Sequence, residues 1–220
     1  TINGLMNTIQ NLYLCDDIPW VIGYSGGKDS TATLQLVWLA LAALPREQVN
    51  KTVHIINTDT MVESPVISKW VQTSLKRMDE AAVEQGLPFV THRLTPAMDN
   101  TFWVNFLGRG YPFPRKKIRW CTDRLKIQPV NTFVREQIAE HGEIIMVIGT
   151  RKAESARRAK TMAYYEKKRV RELLSPNQAM VNELVFSPLE DWNDNDVWVF
   201  LMQYQNPWGY SNKELLTLYK

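Results

Sequence analysis

The sequence predicts an α/β fold with a doubly wound, mostly parallel sheet flanked by helices. Three short apolar runs, at 20–24, 52–58 and 143–150, have the composition of strands that are buried on both faces. Helical patterns of more than about ten residues separate these runs. Such alternation is typical of right-handed crossover units that build a parallel sheet.

The first elements have clear boundaries. The first strand leads through two glycines into a helical stretch over 30–44 that contains no Gly or Pro. The strand at 52–58 precedes a second helix, for which Ser64 is the expected N-cap and Pro65 the first residue. Gly86 is expected to end this helix.

The second half of the chain continues the alternation and then changes character. A weaker strand is predicted at 88–94, followed by an irregular basic stretch and a helix over 126–142. After the strand at 143–150, a loop and an amphipathic helix predict a small helical annex. We therefore expect two parts, the sheet domain over 1–185 and the annex over 186–220.

The carboxyl ends of the strands are where such sheets bind ligands. Residues 25–30, 58–63 and 150–157 follow three of the predicted strands. We therefore expect them to form one rim that carries the functional site.

Composition excludes several classes of protein. The 220 residues are 45% hydrophobic and 22% charged, which is ordinary for a globular protein. No apolar run approaches the ~18 residues needed to span a bilayer, and no signal pattern opens the chain. The two cysteines, Cys15 and Cys121, are too few for a disulfide framework or a four-thiolate metal site. We expect a cytoplasmic protein with no membrane partner.

The net charge of +3 conceals two basic blocks. Residues 109–126 carry a net charge of +6 and residues 151–171 a net charge of +7. Blocks of this kind are usually solvated faces, but two of them in one small chain favour a polyanionic ligand, such as a nucleotide or a nucleic acid.

The stretch GYSGGKDSTA, at 23–32, has the composition of a phosphate-binding loop. Gly26 and Gly27 allow positive φ and a close approach of the backbone to a ligand. The helix that follows offers N–H groups and the positive end of its dipole, and Lys28 adds a point charge. Asp29 follows this lysine, so the spacing is that of neither the P-loop of kinases and GTPases nor the dinucleotide-binding fingerprint.

The pattern S-G-G-x-D-S after a buried strand resembles the PP-loop of the ATP pyrophosphatases, which cleave ATP between its α- and β-phosphates. Four further stretches are similar to elements of the phosphoadenosine-phosphosulfate reductase branch and occur in the expected order. They are NTDTMVESP (57–65), RWCTDRLKIQP (119–129), GTRKAESARRA (149–159) and SPLEDWNDNDVWVFL (187–201). The resemblance implies an adenine nucleotide alpha hydrolase-like fold that binds ATP and Mg²⁺.

The amino-acid sequence of several stretches, including NPWGYSN at 206–212, is most similar to the DndC family of DNA phosphorothioation sulfurtransferases. This resemblance implies that ATP activates a DNA backbone oxygen for sulfur transfer, with DNA, a cysteine desulfurase and other DNA-modification proteins as partners. Members of that family continue into a cysteine-rich segment that is thought to hold an iron–sulfur cluster. The chain is therefore expected to match their N-terminal part, without the cluster.

Two other functions remain open at this point. One is the activation of sulfate or a sulfonucleotide, which would be chemistry on a small molecule. The other is a subunit that binds ATP and DNA without turning ATP over.

The expected nucleotide site lies on the loop and the neighbouring strand ends. Asp29 is assigned either to anchoring the loop or to a Mg²⁺ shell, and Asp59 to adenosine, to Mg²⁺ or to an Asx turn. Arg151 is assigned to phosphate or, with its neighbours, to a surface ion-pair set. Lys28, Asp29 and Arg151 are also expected to be catalytic. The full nucleotide set is Ser25, Gly26, Gly27, Lys28, Asp29, Ser30, Thr58, Asp59, Gly149, Arg151, Glu154 and Arg157.

The first basic block is expected to hold the second, polyanionic substrate, although a solvated loop is the alternative. Basic neighbours favour the thiolate form of Cys121, which is expected to be catalytic as a sulfur carrier, to bind a cluster or to be a small packed thiol. Cys15 precedes two aspartates and is assigned a structural role. The expected nucleic-acid-binding residues are Arg115, Lys116, Lys117, Arg119, Arg124 and Lys126.

Aromatic and histidine residues complete the prediction. Aromatic residues at helical spacing are more often core than base-stacking groups, so those of the annex are assigned to its core. The three histidines are scattered and predict no metal site. The annex aromatics are Trp192, Trp198, Phe200 and Trp208, and the histidines are His54, His92 and His141.

Overall fold

A six-stranded sheet organises the computed structural model, which describes residues 1–115 and 117–219. The strands are Trp20–Gly23 (β1), Val53–Thr58 (β2), Phe89–Leu94 (β3), Ile144–Val147 (β4), Ser175–Pro176 (β5) and Glu183–Phe186 (β6). Their order is β3-β2-β1-β4-β6-β5, and only β5 pairs antiparallel with its neighbour. The predicted doubly wound, mostly parallel sheet is confirmed.

Helices follow the strands, as the alternating pattern predicts. The α-helices are Ile2–Leu14 (α1), Lys28–Ala42 (α2), Pro65–Gln85 (α3), Trp120–Thr122 (α4), Gln128–His141 (α5), Ala156–Glu166 (α6) and Asp194–Gln203 (α7). Two sequence signals for α3 are confirmed, since Pro65 is its first residue and Gly86 ends it with a φ of +62°. Ser64 occupies the N-cap position, but its side chain makes no capping hydrogen bond. None of the helices in the described part of the chain is long and apolar enough to cross a membrane.

The core lies on both faces of the sheet. Successive side chains of β1 point to opposite faces. Trp20 and Ile22 pack in the larger cluster, to which α1, α2, α3 and α7 also contribute. Val21 packs on the other face with Phe133 and Val134 of α5. Burial on both faces explains why this strand is a continuous apolar run.

Five elements are absent from the sequence prediction, among them α4, which lies in the stretch predicted to be irregular. Helix α1 precedes the first predicted strand, and α6 begins at the end of the predicted rim segment 150–157 and extends beyond it. Helix α6 contains no buried residue, so no apolar stripe marks it. Strands β5 and β6 are only two and four residues long, too short for a clear period-2 pattern.

The segment that follows α7, here called the C-terminal segment, packs on α2 through a buried polar network. The amide of Gln35 donates to the carbonyl of Tyr204 at 3.0 Å, and Asn212 donates to the Gln35 amide oxygen at 2.8 Å. Trp208 packs beside Trp38 with ring centroids 5.5 Å apart. The NPWGYSN stretch therefore attaches the segment to the sheet domain.

The predicted core role of the annex aromatics is confirmed. Phe200 and Trp208 are buried in the larger cluster, and Trp192 and Trp198 are partly buried against it. The predicted boundary between residues 185 and 186 falls within β6, and the division into two domains stays a prediction.

Candidate functional site

The loop between β1 and α2 has the backbone geometry of an anion site. Gly26 has a φ of +78°, and a Cβ there would lie 2.7 Å from Cγ2 of Val71, so no larger residue fits without a shift. Gly27 caps α2 and offers no side chain to its N–H groups. The N–H groups of these two glycines find no backbone acceptor within the described residues. Donors that lack partners at a helix N-terminus favour an anion.

Two hydroxyl groups brace the loop from inside. The Ser30 Oγ accepts the N–H of Ser25 at 3.2 Å and donates to the carbonyl of Gly27 at 3.0 Å. The two serine hydroxyls lie 3.0 Å apart. Their predicted contact with the ligand stays a prediction, and the structure adds a role in holding the shape of the loop.

A charged network ties the start of α2 to two other segments. The Lys28 Nζ lies 2.9 Å from Oδ2 of Asp29 and 3.3 Å from Oδ1 of Asp194. The Arg151 guanidinium bonds to both carboxylates, at 2.8 Å to Asp29 and 2.5 Å to Asp194. One network therefore joins the loop, the segment after β4 and the start of α7.

Arg151 is enclosed by this network. Its side chain is only 2% exposed, and its third donor, Nη1, bonds to the carbonyl of Trp192 at 3.1 Å. Burial alone would lower the pKa of Arg151, but its bonds to Asp194 and Asp29 raise it instead. In this arrangement its donors bind protein groups, so direct contact with phosphate stays a prediction.

Asp194 is a site residue that the sequence analysis did not predict. The bond from Arg151, followed by that from Lys28, holds the pKa of the Asp194 carboxyl below its usual range. The stretch that contains Asp194, at 187–201, indicated only where a helix begins. In the structure, Asn193 caps α7 and exchanges hydrogen bonds with Asp196. The position of Asp194 in the first turn of α7 does not reveal that its partner is Arg151, which is distant in sequence.

Two of the remaining predicted residues after β4, Glu154 and Gly149, have structural roles. Glu154 accepts the N–H of Arg151 at 2.8 Å and pairs with Arg158 at 3.3 Å, which matches the ion-pair alternative. Arg157 is exposed in the first turn of α6. A Cβ on Gly149 would lie 2.8 Å from the Asp29 carbonyl oxygen, so glycine permits the close approach of this segment to α2.

Asp59 forms the Asx turn that the sequence left as one alternative. Its Oδ1 accepts the N–H of Met61 at 2.9 Å, and its Oδ2 lies 2.5 Å from Nη2 of Arg93. No group of three or more potential metal ligands occurs in the described residues. A role for Asp29 or Asp59 toward Mg²⁺ therefore stays a prediction.

A cavity of about 410 Å³ adjoins the loop on the α5 face of the sheet. It lies at the ends of β1 and β2, and it brings Ser25 of the loop and Thr58 of β2 to one site. Its volume falls in the range of small-ligand pockets. The apolar wall contains Ile56, Val130, Met146, Ile148 and Val185.

Glu183 is a second residue that sequence reasoning missed. It lines this cavity and is 6% exposed, and burial raises its pKa although a hydrogen bond from Asn177 opposes the effect. A charged residue in the apolar run ELVF was the available signal, because a buried carboxyl requires a partner.

The first basic block divides into bonded and exposed residues. Arg124 donates to Asn100 at 3.0 Å and to the Tyr111 hydroxyl at 2.9 Å. Lys126 lines the cavity and lies 3.1 Å from Oε1 of Glu63. The other described members are exposed, and Lys116 lies outside the described residues. The exposed members are Arg115, Lys117 and Arg119.

The two cysteines differ in their surroundings. Cys121 is half-buried in α4, inside the first basic block, and precedes Lys126 and Ile127, which line the cavity. Cys15 is exposed at the end of α1, where burial of its thiol, then the charge of Asp16, raises its pKa. The structural role predicted for Cys15 stays a prediction.

The fold brings two of the three histidines together. Nδ1 of His54 and Nε2 of His92 lie 2.9 Å apart on adjacent strands, and both rings pack on Phe133. Burial, followed by the charge of His92, lowers the pKa of His54 to about 4. This pair is a neutral, hydrogen-bonded part of the α5 face.

The chain matches one protein-family model over most of its length. Residues 19–208 match the phosphoadenosine phosphosulfate reductase domain. An uncharacterized protein of Methanocaldococcus jannaschii is 26% identical over 201 residues, which are 91% of this chain and 35% of that protein. The chain thus spans about a third of the length of this curated relative.

Solved structures share the fold at low sequence identity. A phosphoadenylyl-sulfate reductase of Candida auris has a TM-score of 0.53 at 12% identity, covering 98% of this chain and 90% of that one. The U34-tRNA thiolase NcsA of Methanococcus maripaludis has a TM-score of 0.52 at 16% identity, covering 99% and 71%. An NAD⁺ synthetase of Burkholderia pseudomallei has a TM-score of 0.50 at 10% identity, covering 97% and 77%.

Proposed function

Because this chain belongs to the phosphoadenosine phosphosulfate reductase domain family, we propose that it is an ATP pyrophosphatase that releases AMP and pyrophosphate. One observation carries the proposal. The Gly26–Gly27 loop at the N-terminus of α2 directly adjoins a cavity of about 410 Å³ at the strand ends. An anion cradle beside a largely apolar cavity fits a triphosphate and a base, respectively.

The loop would act on the part of ATP that leaves. A nucleophilic oxygen forms a bond to the α-phosphorus while the α–β bridging bond breaks, and pyrophosphate departs with the electron pair. Backbone N–H groups of the loop and the Lys28 ammonium would stabilise the negative charge that builds on this leaving group. The contacts of Lys28 with Asp29 and Asp194 support this role, because they fix the ammonium beside the loop.

Two carboxylates, those of Asp29 and Asp59, are the residues of this site that fit a Mg²⁺ ion. Mg²⁺ is usually bound through one or two carboxylates together with substrate phosphates and water. Asp29 is the carboxylate beside the loop, and Asp59 follows the end of β2. These two residues would hold the ion, which neutralises charge on the transferred phosphates when it is bound.

We further propose that the activated oxygen belongs to a DNA backbone phosphate and that sulfur replaces it. Oxide is a poor leaving group, whereas the same oxygen tied to AMP leaves readily. Sulfide sulfur, supplied by a desulfurase and a thiol reductant, would then displace AMP and form the new phosphorus–sulfur bond. The exposed Arg115, Lys117 and Arg119 support a polyanionic substrate.

The direct test is to identify the products made from ATP labelled in its α- and γ-phosphates. AMP and pyrophosphate are expected, with stimulation by DNA. Lys28→Ala should abolish cleavage, whereas Lys76→Ala should not, because Lys76 is an exposed lysine of α3 that pairs only with Glu80 among the described residues. ADP and phosphate as products, or full activity in Lys28→Ala, would contradict the proposal.

A small sulfonucleotide is the second candidate substrate. The family match over residues 19–208 favours it, because the family takes its name from the reduction of phosphoadenosine phosphosulfate. Binding of phosphoadenosine phosphosulfate and adenosine monophosphate to the cavity can be compared by calorimetry. Pyrophosphate release that requires DNA but not sulfate would favour the first proposal.

A further inference from the structure

Residues 98–115 and 117–120, which follow β3 and end on the first residue of α4, are here called the aromatic arm. Its aromatic rings pack on one another rather than in the two core clusters formed by the described residues. Phe102 and Trp120 stack with centroids 5.4 Å apart, and Phe106 contacts Phe113 at 5.9 Å. The arm contains Phe102, Trp103, Phe106, Tyr111, Phe113 and Trp120.

A buried asparagine gives the arm a fixed shape. Asn105 is fully buried, and its amide donates to the carbonyls of Asn100 and Thr101 at 3.0 and 2.9 Å. The carbonyl of Asn105 in turn accepts the N–H of Tyr111 at 3.0 Å. The aromatic arm is therefore an ordered platform and not an extended loop.

The arm exposes several large apolar side chains. Trp103 is 57% exposed, Leu107 is 70% exposed and Phe113 is 68% exposed. Several large apolar side chains exposed within one short segment are typical of an interaction surface. Two of the three offer flat aromatic faces.

The arm also carries exposed cations. Arg109, Arg115, Lys117 and Arg119 are exposed along the same segment. Of these four, only Arg109 has a carboxylate within ion-pair distance among the described residues, with Asp99 at 3.7 Å. Aromatic faces beside cations that are open to solvent are the combination that binds single-stranded nucleic acid, by base stacking and phosphate contact.

The arm leads directly to the candidate site. Trp120 is both its last residue and the first residue of α4, which contains Cys121. The chain then reaches Lys126 and Ile127, which line the cavity beside the loop. A strand held on the arm would thus lie near both Cys121 and the nucleotide cavity.

We propose that the aromatic arm binds unpaired DNA, with Trp103 and Phe113 stacking on bases and the flanking cations contacting phosphates. This inference rests on the proposed function and names the form of DNA that the site accepts. Base pairs in a duplex hide their faces from side chains, so stacking requires a single strand or locally opened DNA.

The test compares binding of a single strand of about 16 nucleotides with binding of a duplex of the same sequence, by fluorescence anisotropy over a salt series. Trp103→Ala combined with Phe113→Ala should weaken single-strand binding about thirtyfold or more and leave duplex binding unchanged. The salt slope should not change, because all the cations that bind phosphate remain. Arg115→Ala combined with Lys117→Ala should instead lower the slope by about one for each cation removed.

A matched control is Tyr164→Ala, which removes a half-exposed aromatic residue of the other basic block, on α6. It should bind single strands like the parent chain. Thermal unfolding checks that all variants are folded, which is expected because the truncated side chains are exposed.

Several results would overturn the inference. They are unchanged single-strand binding in the Trp103 and Phe113 variant, an equal loss in Tyr164→Ala, an equal loss for single strand and duplex, and binding of anionic lipid vesicles in place of DNA. If the parent chain cleaves ATP to AMP but binds no DNA, the DNA part of the proposed function fails as well. If it does both and the aromatic variant behaves normally, only the arm inference fails.

Discussion

The phenolic oxygen of Tyr219 accepts the backbone N–H of Lys28 at 2.8 Å. This N–H belongs to the first turn of α2 and is one of the donors that an anion at the loop would use. The Tyr219 ring packs edge-on against Trp198 of α7, with centroids 5.4 Å apart. The C-terminal segment therefore places a neutral oxygen where the loop is expected to hold a phosphate.

Tyr219→Phe should tighten pyrophosphate binding about fivefold, because the ligand no longer competes with a hydrogen bond of about 1 kcal/mol. Calorimetric titration with pyrophosphate measures the change. Tyr164→Phe, at a half-exposed tyrosine outside the loop, serves as the control and should have no effect. Weaker binding by Tyr219→Phe would mean that the hydroxyl contacts the ligand directly.

Asp194→Asn should destabilise the protein, because buried Arg151 loses one of its two carboxylate partners while keeping Asp29. The free energy of unfolding at neutral pH should fall by about 1–2 kcal/mol, less than for a fully buried pair because Asp194 is exposed. Denaturant unfolding measures this change. Asp191→Asn, which removes an exposed partner of Lys152, should cost less.

The stability difference between the parent protein and Asp194→Asn should depend on pH in a defined direction. The folded-state pKa of Asp194 is lowered, so its contribution is present above the unfolded-state value and is lost as pH falls through the folded-state value. The difference between parent and Asp194→Asn should therefore vanish in strong acid. A difference that stays constant down to that range would contradict the ion-pair explanation.

Gly149→Ala should disturb the start of α2. Its Cβ would lie 2.8 Å from both the Asp29 carbonyl oxygen and the Thr33 hydroxyl, so the backbone of the helix must move. We expect a loss of about 1–3 kcal/mol in unfolding free energy and weaker ATP binding. Gly108→Ala is the control, because its Cβ would meet nothing within 4 Å. Normal ATP binding by Gly149→Ala would show that the loop does not depend on this approach.

Local signals account for the parts of the fold that the sequence predicts well. The apolar strands β1, β2 and β4, the Pro65 start and the Gly86 end of α3 each follow from a short stretch of residues. The loop could be predicted for the same reason, although only Gly26 uses the positive φ that was expected of both glycines, since Gly27 has a φ of −86°. Periodicity and turn chemistry act over a few residues and are visible without a structure.

The partners of charged side chains could not be predicted in this way. Arg151 looked available for phosphate from its place after β4, yet Asp29 and Asp194, distant in sequence, enclose it. The pairing of His54 with His92 depends on the register between β2 and β3. Contacts of this kind arise only when the fold brings separate segments together, so the residue types alone leave several roles open.

The histidine pair predicts a loss of stability in mild acid. The pKa of His54 is lowered to about 4 in the folded protein, so the unfolded chain takes up a proton first as pH falls below about 6.5. Stability should fall by about 1–2 kcal/mol between these values, allowing for partial exposure of the ring. Unfolding curves of His54→Gln, which does not titrate at this position, should show a smaller loss. An identical pH profile would remove the pair from the explanation.

Cys121 allows activation of the oxygen and transfer of sulfur to be separated. Cys121→Ser should release AMP and pyrophosphate at nearly the parent rate, because the loop, Lys28 and the cavity are unchanged. In the complete modification system, the same variant should form no phosphorothioate if the thiol carries sulfur, since a hydroxyl cannot form a persulfide. Mass spectrometry of digested DNA measures the product.

Cys15→Ser is the matched control and should sulfurate normally, because Cys15 lies at the end of α1 and donates to the Leu12 carbonyl at 3.1 Å. Normal sulfuration by Cys121→Ser would assign this thiol to packing and would require sulfur to be delivered directly by a partner protein.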